Sequence, residues 1–422
     1  MMLKKWTRES RRRLTGWLLS ALALLLLTSE PVNAVVSFPD SIRLMRGHSA
    51  SFALPGLVRA DMDGSAAVLS SSDETLSGAL ASVELAGQET GVSSLTLRLM
   101  GILPFKTVPV SVADEKILIP GGSPVGVAIR TQGVLVVGVS DLGGSTISPA
   151  REAGLKSGDL IQAVDGEPVT GARHLSSLIT SGEAVVLTVL RDDQSISVPL
   201  TPVVDPRDGA YRLGAWVRDS TAGVGTLSFY DPETGRFGAL GHAITDIDTG
   251  MVLDVQNGEI VESRITEIHR GEVGAPGELV GRFGSGSEAL GSIDINGACG
   301  IYGQAYEPMT NSLYPDGLPI LSRDEVHPGH AQILTTLDDS GPAAYDCEIV
   351  KLSHQGSASQ RSILLEITDP ALLEKTGGIV QGMSGSPIIQ DGKLVGAVTH
   401  VLVNQPDTGY GIFIENMLDA AG

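Results

Sequence analysis

Apolar and polar side chains alternate at period two along much of this 422-residue chain, as in Ser51-Phe52-Ala53-Leu54 and Ser94-Leu95-Thr96-Leu97-Arg98-Leu99. Pro55, Gly56 and the polar cluster at 70–73 interrupt the first stretch. Residues 35–115 therefore read as a small β-rich domain with no group of side chains that demands chemistry. A second unit, 116–204, follows the Pro120-Gly121-Gly122 punctuation. From 205 to 422 the pattern is again short strands. Residues 226–230 and 236–240 flank the turn former Asp231-Pro232-Glu233-Thr234-Gly235, and 386–390 and 393–400 flank Asp391-Gly392. Both read as hairpins. No long amphipathic helix intervenes, so the expected fold is mainly β, with a barrel or sandwich in the last half.

The exception is the N-terminus. Lys4, Lys5, Arg8, Arg11, Arg12 and Arg13 precede an apolar run over 17–27 and a small-residue site at Val32-Asn33-Ala34. That order predicts a signal peptide or signal anchor over 1–34 and export of the rest. An 11-residue apolar core is short of the roughly 20 residues of a membrane span, so cleavage and anchoring both stay open. The cationic start also masks the charge of the body. The whole chain carries 29 basic and 49 acidic residues, net -20, but without 1–34 the count is 23 against 47, net -24. Such a surface repels phosphate, which argues against nucleic acid as a partner. Cys299 and Cys347 form no metal-binding spacing and leave one disulfide or two buried thiols open. His327 and His330 straddle Pro328-Gly329, which breaks the helix an i, i+3 metal pair ordinarily uses. No metal and no cofactor is expected.

Within the second unit, Ser148-Pro149-Ala150-Arg151-Glu152-Ala153-Gly154-Leu155-Lys156-Ser157-Gly158-Asp159 leads into Leu160-Ile161-Gln162-Ala163-Val164-Asp165-Gly166. This segment resembles PDZ domains: a short helix ending at Gly154, a Gly-Asp turn, a strand and an Asp-Gly turn. The resemblance implies a peptide groove. Its carboxylate-binding loop is expected at Val125, Gly126 and Val127, its edge strand at 127–130, and its helical wall near 173–179 with Leu175 and Leu178 facing inward. A C-terminal or internal peptide would add alongside the strand.

Gln381-Gly382-Met383-Ser384-Gly385-Ser386-Pro387 resembles the nucleophile loop of chymotrypsin-fold serine peptidases. Glycines on both sides let the chain turn sharply, expose the Ser384 hydroxyl and converge the Gly382 and Ser384 amides on one oxyanion site. Met383 stands where many such enzymes carry an acid or its amide. The general base is expected at His242, which ends the apolar strand of Gly238-Ala239-Leu240-Gly241-His242 and precedes the serine in chain order. His400, on the strand after Asp391-Gly392, reads as a residue that packs or hydrogen-bonds there. Spacing does not choose an orienting acid among Asp246, Asp248, Asp254, Asp294 and Asp369, although Asp246 and Asp248 suit the turn ending at Gly250.

The whole order, with Gly-Thr-Leu-Ser-Phe-Tyr-Asp-Pro-Glu-Thr-Gly, Gly-His-Ala-Ile-Thr-Asp and Gln-Gly-Met-Ser-Gly-Ser-Pro-Ile, resembles the SpoIVB peptidase family. That resemblance implies a chymotrypsin-like barrel domain and puts the acid at Asp369. It also implies export across the forespore inner membrane into the intermembrane space, self-cleavage near the N-terminus, and cleavage of a membrane-bound regulator of an intramembrane protease, which triggers a mother-cell sigma factor. The competing reading is a non-catalytic PDZ adaptor with a peptidase-like scaffold.

Overall fold

The computed structural model describes residues 38–77, 80–114, 116–143, 148–283, 288–353 and 360–422. The expected signal segment 1–34 lies outside the described residues. Two compact units divide the chain at Lys116. In the first, β1 (Ile42–Met45), β3 (Val58–Asp63), β6 (Gly91–Leu99) and β7 (Leu103–Ala113) form one sheet in the order β1-β7-β6-β3. The second sheet is β2 (Ser49–Pro55), β5 (Leu80–Gly87) and β4 (Ala67–Ser77). Alternate residues of both sheets, among them Leu54, Leu85, Leu95, Leu97, Val108 and Val110, share one core. The period-two reading of this segment matches a two-sheet sandwich.

The second unit is built on two rings of six strands. The first uses β9 (Pro124–Val139), β16 (Ala215–Tyr230), β17 (Arg236–Ala239), β18 (Val255–Glu262), β21 (Ala289–Gly297) and β22 (Gly300–Ala305). The path β9-β18-β21-β22-β17-β16 returns to β9 through a direct β9–β16 pairing. Val125, Val127, Ile129, Phe237, Ile260, Ile293 and Ile301 fill it. β8 (Ile117–Pro120) extends this sheet beyond β16 and pairs in turn with β23 (Leu318–Pro319). A separate ribbon, β19 (Arg264–His269) with β20 (Glu278–Arg282), lies between β18 and β21 in sequence. The second ring is a closed barrel, β24 (Gly329–Thr335), β25 (Ala343–Leu352), β26 (Ile363–Ile367), β29 (Gln405–Phe413), β28 (Lys393–Leu402) and β27 (Pro387–Gln390). Ile333, Cys347, Ile349, Leu365, Val395, Val398 and Phe413 pack inside it. Both predicted hairpins form: β16–β17 turns at residues 231–235, and β27–β28 turns at Asp391-Gly392, where both residues have positive φ.

Between the two halves of the β9–β16 ribbon sits the PDZ module. It contains β10 (Leu160–Val164), β11 (Glu167–Pro168), β12 (Val185–Arg191), β13 (Gln194–Leu200), the small ribbon β14 (Val203–Val204) and β15 (Tyr211–Arg212), and helices α1 (Pro149–Glu152) and α2 (Ala172–Leu178). Ser148 caps α1, with Pro149 in its first turn, and Gly154 at φ +77 follows the helix. Asp159 of the signature is buried and receives Nε and Nη2 of Arg191 at 2.6 Å each, so the turn is tied to β12.

One boundary differs from the sequence reading. Residues 124–131 belong to the first ring, and the module begins only at Val134. β9 runs along β16 from Ala215 to Thr226, with Thr226 opposite Pro124 at the barrel end and Ala215 opposite Val139 at the PDZ end. The register slips between Arg130 and Leu135, where Gly133 adopts φ +98. A Cβ there would lie 2.5 Å from the Ile161 carbonyl oxygen, so only glycine passes this junction. The expected carboxylate loop at Val125, Gly126 and Val127 is corrected accordingly. Those residues pair with β16 on one edge and β18 on the other, which leaves no edge for a peptide.

The remaining helices are α3 (Pro370–Thr376) and α4 (Ile414–Ala421). Among the described residues no helix is long and apolar enough to cross a membrane. Cys299 and Cys347 are free and buried, and burial pushes the Cys347 thiol up to about 12.

Candidate active site

The predicted nucleophile loop lies where the two rings meet. Gly382 and Gly385 take φ +95 and +99, and the intervening Met383 is fully buried in the second barrel, its sulfur 3.4 Å from the Val380 amide. Met383 thus anchors the loop by packing. From the first ring, the Thr226 amide donates to the Ser384 carbonyl at 3.0 Å and the Thr226 hydroxyl to the Gly382 carbonyl at 2.7 Å.

The amides of the loop divide into two sets. Those of Gln381, Met383, Gly385 and Ser386 donate to the carbonyls of Gly277, Val380, Val398 and Met383. Those of Gly382 and Ser384 have no acceptor among the described residues. The two amides expected to hold an oxyanion are therefore the two left available. The Ser384 hydroxyl itself donates to the Thr399 carbonyl at 2.8 Å.

His242 follows β17 in a loop pinned by Asn296, whose side chain bonds the Ile244 amide and the Ile244 and Leu253 carbonyls at 2.7–2.9 Å. Its Nδ1 lies 2.8 Å from the Ala243 carbonyl. A carbonyl only accepts, so Nδ1 carries the proton and Nε2 keeps its lone pair. Burial holds the imidazole below its ordinary pKa, against that carbonyl bond. His242, Ser384, Gly382, Thr399 and His400 line one cleft of about 810 Å³, and Val127 forms part of its wall.

Asp369, implied as the acid, is elsewhere. Its carboxylate caps α3, accepting from the Ala371 and Leu372 amides at 2.9 and 3.0 Å. Asp-Pro before a short apolar helix is an N-cap signal, and the cap prevails here over the triad role. Among the described residues no carboxylate lies within hydrogen-bonding distance of His242. Asp246 is buried in its own turn and accepts from the Thr249 amide and hydroxyl, the Asp248 amide and Arg218. Burial alone would raise its pKa, but these donors hold it below the usual carboxylate range.

The side chain that does meet His242 is His400 on β28, with ring centroids 5.3 Å apart and planes tilted by 41°. Its Nδ1 is buried and has no hydrogen-bond partner among the described residues. Burial, then the nearby His242 and Arg361 charges, push His400 down to about 4. Sequence spacing hides this pair, because the two residues lie on different barrels. A neutral folded His400 and an ordinary value near 6.5 in the unfolded chain fix the sign of the linkage. Its contribution is complete above about pH 6.5 and is lost as pH falls towards 4. Urea titrations over that range should show stability dropping, with a shallower drop in His400→Gln. Equal slopes for the two proteins would contradict the assignment.

His327 and His330, the other histidine pair singled out above, face different carboxylates. His327 Nε2 bonds Asp391 at 2.9 Å, and His330 lies 3.8 Å from Asp346. Among the described residues no group of three His, Cys, Asp or Glu side chains is placed to hold a metal.

The PDZ module has a second hollow, of about 450 Å³. Leu175, Ser176 and Ile179 of the α2 region line one side, and Leu213, Gly214, Ala215, Trp216 and Val217 the other. Leu175 faces it as expected and Leu178 does not. Across residues 215–217, β16 pairs with β9 on one edge only.

Comparison with known proteins agrees with this architecture. Residues 209–418 match the family model described as SpoIVB peptidase S55, and 144–191 match a PDZ domain model. A Brucella suis protein named "Probable periplasmic serine endoprotease DegP-like" is 34% identical over 109 residues, 24% of this chain. The chain spans 20% of that relative's length. Among solved structures, the Rv3671c protease of M. tuberculosis in its active form is 13% identical. It covers 48% of this chain and 75% of its own, with a TM-score of 0.27. The PDZ domain of the SdrC-like protein of Listeria monocytogenes is 22% identical, covers 20% of this chain and 87% of its own, and has a TM-score of 0.18. The chain belongs to the SpoIVB peptidase family of serine peptidases, with a PDZ domain threaded into a strand pair of its first barrel.

Proposed function

We propose that this protein is a serine endopeptidase that works through an acyl-enzyme at Ser384. The observation that carries the reading is the pair of acceptor-free amides, Gly382 and Ser384, on either side of Met383 in the cleft that holds His242. The Ser384 hydroxyl rotates from the Thr399 carbonyl towards His242 Nε2, which takes its proton as Oγ attacks the scissile carbonyl. The oxyanion forms against the two amides. The imidazolium then protonates the leaving amine, and a water, deprotonated by the same nitrogen, hydrolyses the ester. The Ala243 carbonyl holds the tautomer that a carboxylate would otherwise fix, and His400 backs the ring as a neutral neighbour. Substrate-free enzymes often tighten such hydrogen bonds only on binding substrate.

Casein digestion tests this directly. His242→Gln should lower turnover about 10³-fold or more while leaving the thermal transition in place. Turnover unchanged by that substitution would overturn the base assignment. A wild-type chain that binds peptide but cleaves nothing would favour the adaptor reading instead.

The PDZ peptide belongs in the α2–β16 hollow, alongside residues 215–217, with its terminus towards the Arg212-Leu213-Gly214 loop. Trp216, 67% exposed, supplies an apolar contact. Trp216→Ala should weaken peptide binding about tenfold without a stability change. Gly126→Glu, by contrast, should destabilise the first barrel, because a Cβ there falls 2.4 Å from the Phe283 ring. Calorimetry on the two variants distinguishes the groove from the barrel strand, and loss of binding with intact stability in Gly126→Glu would restore the earlier loop placement.

Export into the space between two membranes, self-cleavage near the N-terminus and cleavage of a membrane-bound regulator remain part of the proposal. Family resemblance supports them. β16 adds a physical route for control, since one strand forms a groove wall at 215–217 and a cleft wall at 221–224. Arg218, between them, ties that strand to Asp246 and Asp248 in the turn after His242.

A further inference from the structure

We propose that the β6–β7 turn of the N-terminal sandwich is a lipid-contacting tip that seats this unit on a bilayer surface. The turn reads Leu99-Met100-Gly101-Ile102-Leu103-Pro104-Phe105, and beside it lies the turn between β2 and β3 that carries Leu57. Met100, Ile102, Leu103 and Leu57 are 67%, 81%, 62% and 61% exposed. The Met100 amide bonds the Leu57 carbonyl at 2.7 Å and the Ile102 amide bonds the Leu99 carbonyl at 3.1 Å, so two of the tip's amides are already satisfied. That favours an apolar surrounding, where an unmet amide is costly.

Shape and charge select the occupant. The tip is made of two adjacent turns, and neither lines the cleft or the hollow described above. No acidic residue falls within 99–109, in a chain of net charge -20. Cations form a collar just behind the apolar residues: Arg59, whose Cγ lies 3.6 Å from where a Gly101 Cβ would be, Arg98 paired with Asp61, and Lys106 paired with Asp40. Apolar side chains backed by basic ones match the acyl and headgroup layers of a bilayer.

The course of the chain points the same way. β1 runs parallel to β7, and Lys106 Nζ bonds the Phe38 carbonyl at 2.6 Å, so the chain enters this unit beside Phe105, at the tip end of the sheet. Residues 28–37 separate that entry from the apolar run at 17–27. About ten residues reach roughly 35 Å at most, so an anchor in the bilayer would hold this end of the sandwich near it.

The test uses the full-length chain with Ser384→Ala, which preserves residues 1–34 against self-cleavage. Ile102→Cys or Glu89→Cys is labelled with the environment-sensitive fluorophore NBD, Cys299 and Cys347 being buried. Glu89 lies in the turn at the opposite end of β6. With phosphatidylethanolamine–phosphatidylglycerol vesicles carrying nitroxide on the acyl chains, the label at 102 should shift to the blue and be quenched about twofold, and the label at 89 should do neither. Failure to bind the vesicles, an unquenched label at 102 on vesicle-bound protein, or a blue shift that needs only higher protein concentration would each overturn the proposal. Because the reacting serine is absent, none of these outcomes bears on the peptidase assignment.

Discussion

Ser384→Ala should lower kcat/KM by about 10⁴-fold or more and leave the fold intact. The hydroxyl makes one protein hydrogen bond, to the Thr399 carbonyl at 2.8 Å, so its removal costs about 1 kcal/mol or less of stability. The loop that presents it is held by other groups: buried Met383, the Thr226 contacts and the amides committed to Gly277, Val380 and Val398. Activity and folding therefore separate cleanly in this variant. Residual cleavage would come from the Gly382 and Ser384 amides acting on a bound carbonyl with water as nucleophile. Initial rates on casein together with a thermal melt check both halves of the expectation, and a variant that retains more than about a tenth of wild-type rate removes Ser384 from the mechanism.

Gly385→Ala has the opposite signature, a large loss of stability. At φ +99 any side chain is strained, and here the added Cβ would fall 2.1 Å from the Thr226 carbonyl oxygen and 2.6 Å from the Leu240 nitrogen. Both obstacles are backbone atoms of the first ring, which cannot rotate aside as a side chain would. The same seam carries the Thr226–Ser384 hydrogen bond, so relief must separate the loop from the first barrel. About 3 kcal/mol or more should be lost in urea titration, with turnover reduced at least about 10²-fold through displacement of Ser384 relative to His242. Gly392→Ala is the control. Its φ of +73 is also unfavourable, but no atom lies within 4 Å of the added Cβ, and about 1 kcal/mol is expected. Equal losses at the two positions would mean that backbone strain alone, and not the contact between barrels, sets the cost.

Much of this architecture is legible in the sequence because it depends on local signals. Period-two alternation, the Asp391-Gly392 turn, the Ser148–Asp159 portion of the PDZ signature and the glycines around Ser384 each act within a few residues. Threading of the PDZ module is not legible. β9 and β16 are both 16 residues long, and each keeps a strand pattern through the junction. Only Gly133 marks the change of partner, and its reason is the Ile161 carbonyl 28 positions away. For the same reason residues 212–217 fall in the 205–422 half of the sequence reading, while Val125, Gly126 and Val127 are assigned to the PDZ loop. The pairing of His242 with His400 joins a loop of the first barrel to a strand of the second, and no spacing rule encodes it. Asp369 shows the converse. Family resemblance assigns it to the histidine, whereas its immediate neighbours, Pro370 and the following helix, already describe an N-cap.

The most direct measurement is the site of covalent modification by a fluorophosphonate, read by mass spectrometry of the digested full-length protein. A phosphonyl adduct is expected on the peptide containing Ser384, absent from Ser384→Ala and strongly slowed in His242→Gln. An unmodified wild-type protein that is folded by calorimetry, or an adduct on any other serine, would contradict it.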